Sequence, residues 1–123
     1  DDIQLLEHLS GELLRHRTQE SAPKYDSEFH QALARATHHK LIQAVMSGIH
    51  RIIEDSIKSE FVISPRDRKT ENHHRLIYQA VAARDSEKAR KIMKLHMGTL
   101  LKTIQEKPDF PIVSADSEAA ENE

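Results

Sequence analysis

The sequence contains no cysteine and no tryptophan, and only 3 glycines, 4 prolines and 4% aromatic residues. Without cysteine there is no disulfide scaffold, no thiolate metal centre and no cysteine nucleophile. The shortage of glycine, proline and aromatics, with no hairpin-type turn pairs, argues against an all-β fold. No apolar run approaches the roughly 18 residues that a membrane-spanning helix needs, and no signal peptide is apparent. An excess of one charge is also missing: 18 Lys and Arg face 20 Asp and Glu, for a formal charge of −2. That balance excludes a strongly basic nucleic-acid binder, although a local basic patch would remain compatible with it. These exclusions leave a soluble, mostly helical domain, expected in the cytoplasm and with no membrane partner. What the chain has in excess is histidine, 9 in 123 residues.

Apolar periodicity of three and four predicts five helices. The first covers roughly residues 2–20, with Ile3, Leu6, Leu9 and Leu13 as its stripe and Leu5 and Leu14 widening it. Ser21-Ala22-Pro23 is expected to end it, because proline lacks an amide and disfavours helix in the residue before it. The second runs from about Lys24 to Thr37 on Tyr25, Phe29, Ala32, Leu33 and Ala36. The third, from about His39 to Val62, carries Leu41, Ile42, Val45, Met46, Ile49, Ile52, Ile53 and Ile57. So broad a face predicts contact with two neighbours and hence a central helix. A polar loop is expected at 64–68. The fourth helix spans about Thr70 to Ala83, with Ile77, Ala80 and Val81 inward. Asp85 or Ser86 suits the N-cap of the fifth, since its side-chain oxygen can accept a free first-turn amide. That helix runs to about Glu106 on Ala89, Ile92, Met93, Met97, Leu100, Leu101 and Ile104. The expected fold is all-α, an antiparallel bundle of about five helices. Residues 1–107 form the domain. Residues 108–123 form an acidic tail expected to be disordered, because 109–123 hold five carboxylates and no Lys or Arg. The body that remains is slightly basic.

The histidines divide by helical phase. His8, His16, His38 and His39 fall at helix edges or in a turn and read as solvated. His50 adjoins the apolar face of the third helix and reads as a partly buried structural residue. His96 lies inside the stripe of the fifth helix, between Ile92 and Leu100 at spacings of four. His30 sits between Phe29 and Leu33, and Asp26 shares its face four residues earlier. His74 precedes Ile77 by three and points inward. His73, four before Ile77, competes for the same role. Each inward histidine alone reads most simply as a core polar group. Together, three imidazoles and a carboxylate from three helices would be costly to bury unpaired. A metal ion removes that cost by taking them as ligands. Neutral imidazole with carboxylate suits Zn²⁺ and Ni²⁺, and also Mn²⁺, Fe²⁺ or Co²⁺, and bundle cores build metal sites from inward side chains on facing helices.

Two blocks of sequence resemble a known family. Asp26-Ser27-Glu28-Phe29-His30-Gln31-Ala32-Leu33-Ala34 is similar to the D-x-x-F-H-x-x-L-A signature of the FCD domain, the C-terminal effector-binding domain of FadR-type GntR transcription regulators. His74, Ile77, Ala80-Val81, Asp85, Ala89, Met93 and His96-Met97 resemble its second block in order and spacing. The resemblance covers about residues 3–106. It implies an all-α bundle that binds a small effector and forms a homodimer. In the metal-binding branch it implies Asp26, His30, His74 and His96 as the ligands of a divalent ion, which places His74 rather than His73 in that set. It also implies a small carboxylate effector completing the ion's coordination, with Arg51 on the third helix as the candidate partner of that carboxylate. The chain departs from the family at His39-Lys40, where Asn-Pro is usual. It also lacks the first family helix and the N-terminal winged helix-turn-helix, so it reads as part of a longer regulator whose DNA contacts lie in that other domain. The expected function is a ligand sensor and not an enzyme. The competing readings are a metal-dependent enzyme that uses an open metal position to activate water, and a helical dimerisation module with structural histidines.

Overall fold

The computed structural model describes residues 1–16, 21–60 and 68–105. The expected end of the first helix at 20, the loop residues 64–67, the end of the third helix at Val62 and the acidic tail lie outside the described residues, as do the side chains of Ile52, Ile53, Ile57, Leu100 and Ile104. Five helices are present and no strand occurs among the described residues: α1 Asp2–Arg15, α2 Ala22–Ala36, α3 Lys40–Glu60, α4 Arg68–Ala82 and α5 Ser86–Gln105.

α1 starts with a capping box. The Asp1 side chain accepts from the Gln4 amide at 2.9 Å, which satisfies an amide that a helix start leaves without a partner, and the Gln4 side-chain oxygen accepts from the Asp1 amino group. Its stripe then buries Leu6, Leu9 and Leu13 against Phe29 and Ala32 of α2 and Ile77 of α4. Tyr25, Leu33, Tyr78, Val81, Ile92 and Met93 close over this core from its margins. Extended packing joins α1 to α2, α2 to α3, α4 to α5, and α1 to α4. The contacts therefore run in the order α3, α2, α1, α4, α5, with α1 in the middle.

Several sequence expectations need correction. α3 is not central: among the described residues its extended packing is against α2, and Leu41, Ile42, Val45 and Ile49 are exposed, Leu41 by 66%. Breadth of an apolar face shows what a helix could bury, not which neighbour the topology supplies. Met97 and Leu101 of α5 are exposed for the same reason. Ser21-Ala22-Pro23 opens α2 rather than closing α1, with Pro23 in the first turn. There a missing amide costs nothing, because first-turn amides have no intrahelical partner, and the ring presets a helical φ. Arg68 likewise begins α4 instead of ending a loop.

The α4–α5 turn sets two of the candidate site helices side by side. Asp85 N donates to Ala80 O at 2.9 Å and Arg84 N to Val81 O at 3.0 Å, the paired bonds of a Schellman motif. Arg84 occupies its left-handed position at φ 56°, where a side chain costs energy and glycine does not. Asp85 then caps α5, its Oδ1 accepting from the Lys88 amide at 3.0 Å. Two substitutions one residue apart should move stability in opposite directions: Arg84→Gly should raise it by about 1 kcal/mol, and Asp85→Ala should lower it by about 1 kcal/mol. Urea unfolding midpoints check both.

Candidate metal centre

α2 carries two polar groups on the edge of its apolar face. Asp26 and His30 are one turn apart, beside the fully buried Phe29. The core contact of α1 with α2 and α4 brings His74 against them, and the α4–α5 hairpin brings His96. The result is a tight group: one side-chain ligand atom from each of Asp26, His30, His74 and His96 lies within 4.8 Å of every other. His74 Nε2 is 2.8 Å from Asp26 Oδ1. His30 Nε2 is 3.6 Å from the same oxygen and 3.2 Å from His96 Nε2. Phe29 supports the group with its ring edge-on to His30 and His74, at centroid distances of 5.7 and 5.1 Å. The rings of His30 and His96 stack at 5.2 Å.

Burial shields most of the group from water. His74 is fully buried, His96 is 5% exposed, and the side chains of His30 and Asp26 are 11% and 21% exposed. The electrostatics follow. Burial and the nearby His74 and His30 push His96 down to about 3, against a smaller opposing pull from Asp26. Burial alone would raise Asp26, but hydrogen bonds from His30 and His74 and their charge hold it well below the usual carboxylate range. At neutral pH the group therefore contains an anionic carboxylate and a neutral His96, the protonation states that metal ligation requires. Two imidazole nitrogens at 3.2 Å need a proton between them or a cation in front of both. Three nitrogens and one oxygen converging in a mostly buried space fit a borderline divalent ion such as Zn²⁺ or Ni²⁺.

The other sequence candidates fall around this group. His73 is buried like its neighbour His74, and both pack beside His96, with ring centroids 5.7 Å away for His73 and 4.5 Å for His74. His50 is buried, with Nδ1 3.1 Å from Ser27 Oγ, and its ring is 6.0 Å from that of His30. Gln31 Nε2 donates to the same Ser27 oxygen at 3.1 Å. The Ser27–His50 pair was not legible in the sequence, because a contact between residues 23 apart on different helices leaves no spacing signal. Arg51 is exposed on α3. His16 pairs with Glu12, and the exposed His38 with Asp2, each at 3.0 Å.

Residues 1–99 match the FCD domain. The chain belongs to the FCD domain family. Among curated proteins it is similar to the L-lactate dehydrogenase operon regulatory proteins, so named, of Escherichia coli (strain K12) and Shigella flexneri, at 26% identity over 88 residues in each case. Those alignments cover 68% of this chain and 34% of either relative, so the chain spans about a third of their length. No solved structure gives a significant match. Both blocks that carried the sequence resemblance fall within the FCD match.

Acid should destabilise the metal-free FCD domain through His96. Its folded value near 3 lies below its ordinary 6.5, so between these values the unfolded chain binds a proton that the folded chain excludes. Stability should therefore fall as pH drops from 6.5 toward 3, and further as Asp26, also depressed, becomes protonated. Urea midpoints of the wild type at pH 7 and pH 5 should show the loss, with a flatter profile for His96→Leu.

Proposed function

We propose that this FCD domain is the sensing part of a GntR-type transcription regulator that holds a divalent metal ion through Asp26, His30, His74 and His96 and recognises a small carboxylate. The observation that carries the reading is the convergence of these four ligand atoms within 4.8 Å in a mostly buried space. Zn²⁺ and Ni²⁺ suit three imidazoles and one carboxylate best, ahead of Mn²⁺, Fe²⁺ and Co²⁺. When bound, such an ion supplies a Lewis-acidic point to which an anionic oxygen can attach. The chain's own contribution is to hold His96 neutral, keep the Asp26 carboxylate charged and shield most of the group from water.

The domain acts as a sensor rather than as an enzyme. Arg51 is the candidate partner for the effector's carboxylate, from the third helix. The effector works by differential affinity for two helix arrangements, since a ligand shifts an equilibrium only by that difference. The domain pairs with a second copy, for which the exposed Leu41, Ile42, Val45 and Ile49 supply apolar surface. Specific DNA binding belongs to a winged helix-turn-helix domain of the longer protein, whose arrangement the sensor adjusts. The curated relatives are named for an L-lactate dehydrogenase operon, which makes L-lactate the first carboxylate to assay.

Thermal melting of chelator-stripped protein tests the reading. At 100 times Kd, Zn²⁺ or Ni²⁺ should stabilise the fold by about 2.7 kcal/mol, a Tm increase of about 10 °C or more. His74→Ala and Asp26→Ala should abolish the increase. An unchanged Tm with either metal, and no metal retained through dialysis, would refute the centre. L-lactate should raise Tm further only in the metal-loaded protein.

A further inference from the structure

A histidine that gives one nitrogen to a metal ion carries its proton on the other, and that proton needs an acceptor that orients the ring and raises its basicity. For His96 the nitrogen facing the group is Nε2, 3.2 Å from His30 Nε2. Its Nδ1 is buried and has no hydrogen-bond partner among the described residues. His73 packs against the same ring, perpendicular to it at a centroid distance of 5.7 Å. His73 is only 8% exposed, and its Nδ1 is also buried without a partner among the described residues. Two neighbouring imidazoles on α4 and α5 thus each present a buried nitrogen with unmet hydrogen-bonding capacity. A neutral imidazole has one donor and one acceptor nitrogen, so one ring can satisfy the other.

We propose that His73 is the positioning residue of His96: a small turn of the His73 ring lets its Nδ1 accept from His96 Nδ1–H, and that bond holds the His96 ring with Nε2 turned to the ion. His73 then carries its own proton on Nε2. This rests on the reading of the quartet as a metal centre and extends it to a fifth histidine that is not a ligand. It also gives the His73-His74 dipeptide two separate jobs on one helix, His74 meeting the Asp26 carboxylate at 2.8 Å and His73 supporting the ligand on α5.

Titration of the chelator-stripped 123-residue chain with Co²⁺ tests the proposal. Wild type should bind Co²⁺ with visible ligand-field bands. His73→Phe, which keeps a buried ring but removes the acceptor, should weaken Co²⁺ binding by about 10–100-fold and shift the bands. His73→Gln, whose amide oxygen can accept, should recover most of the affinity and the wild-type spectrum. In ¹⁵N spectra of the zinc-loaded wild type, His96 should carry its proton on Nδ1. Wild-type affinity and spectrum in His73→Phe would overturn the positioning role while leaving the metal centre standing. Equal weakening in His73→Phe and His73→Gln, with loss of far-ultraviolet circular dichroism in both, would assign His73 to packing alone and also overturn it. If His73→Phe does not fold, the ¹⁵N assignment decides: a His96 proton on Nε2 sinks the proposal. No Co²⁺ binding by wild type would refute the metal centre itself, and His73's role with it.

Discussion

The same turn of α2 has to serve the apolar core and a cluster of polar groups. Phe29, fully buried, contacts the leucines of α1 on one side and the imidazoles of His30 and His74 on the other. A phenyl ring can do both because its faces pack against aliphatic groups while its edge and face also meet imidazoles at close range. The polar cluster is therefore not an intrusion into a finished core. It is one wall of that core, and its geometry depends on Leu6, Leu9 and Leu13 pressing α2 and α4 into place.

The cluster also joins helices that are not otherwise extended neighbours. Long contact lines run between α1 and α2, α1 and α4, α4 and α5, and α2 and α3. α2 meets α4 through Asp26 and His74, and meets α5 through His30 and His96. Any cation held there adds a tie across helix pairs that share no long contact line. Its free energy would enter the relative placement of α2 and the α4–α5 hairpin, where a sensing domain can convert occupancy into a change of arrangement.

Burial does a second job in the cluster. It drives His96 far below the usual histidine range, so the ring stays neutral at physiological pH even beside a carboxylate. The hydrogen bonds to Asp26 outweigh the opposing effect of burial there and keep that group charged. The interior thus sorts two titratable groups into opposite states, neutral nitrogen and anionic oxygen, with no metal needed to impose them. At His96 and Asp26 no proton has to leave before a cation is taken up.

Local periodicity alone determined much of this protein. The inward phase of His30, His74 and His96, the pairing of Asp26 with His30 one turn apart, a cap for the fifth helix at Asp85 or Ser86 and the five-helix count all follow from residue types and spacing within single helices, which a sequence states directly. The choice of His74 over His73 as ligand needed the family resemblance, since both are buried and periodicity admits either. Tertiary structure alone decided what depends on neighbours. It put α1 and not α3 in the middle of the helix order, left Leu41, Val45 and Leu101 exposed, seated His50 on Ser27, and placed His73 against His96. The physical reason is the same in each case. A helix's sequence records which of its faces is apolar or polar, but a contact between residues 23 or more apart exists only once the chain's topology has brought two such faces together.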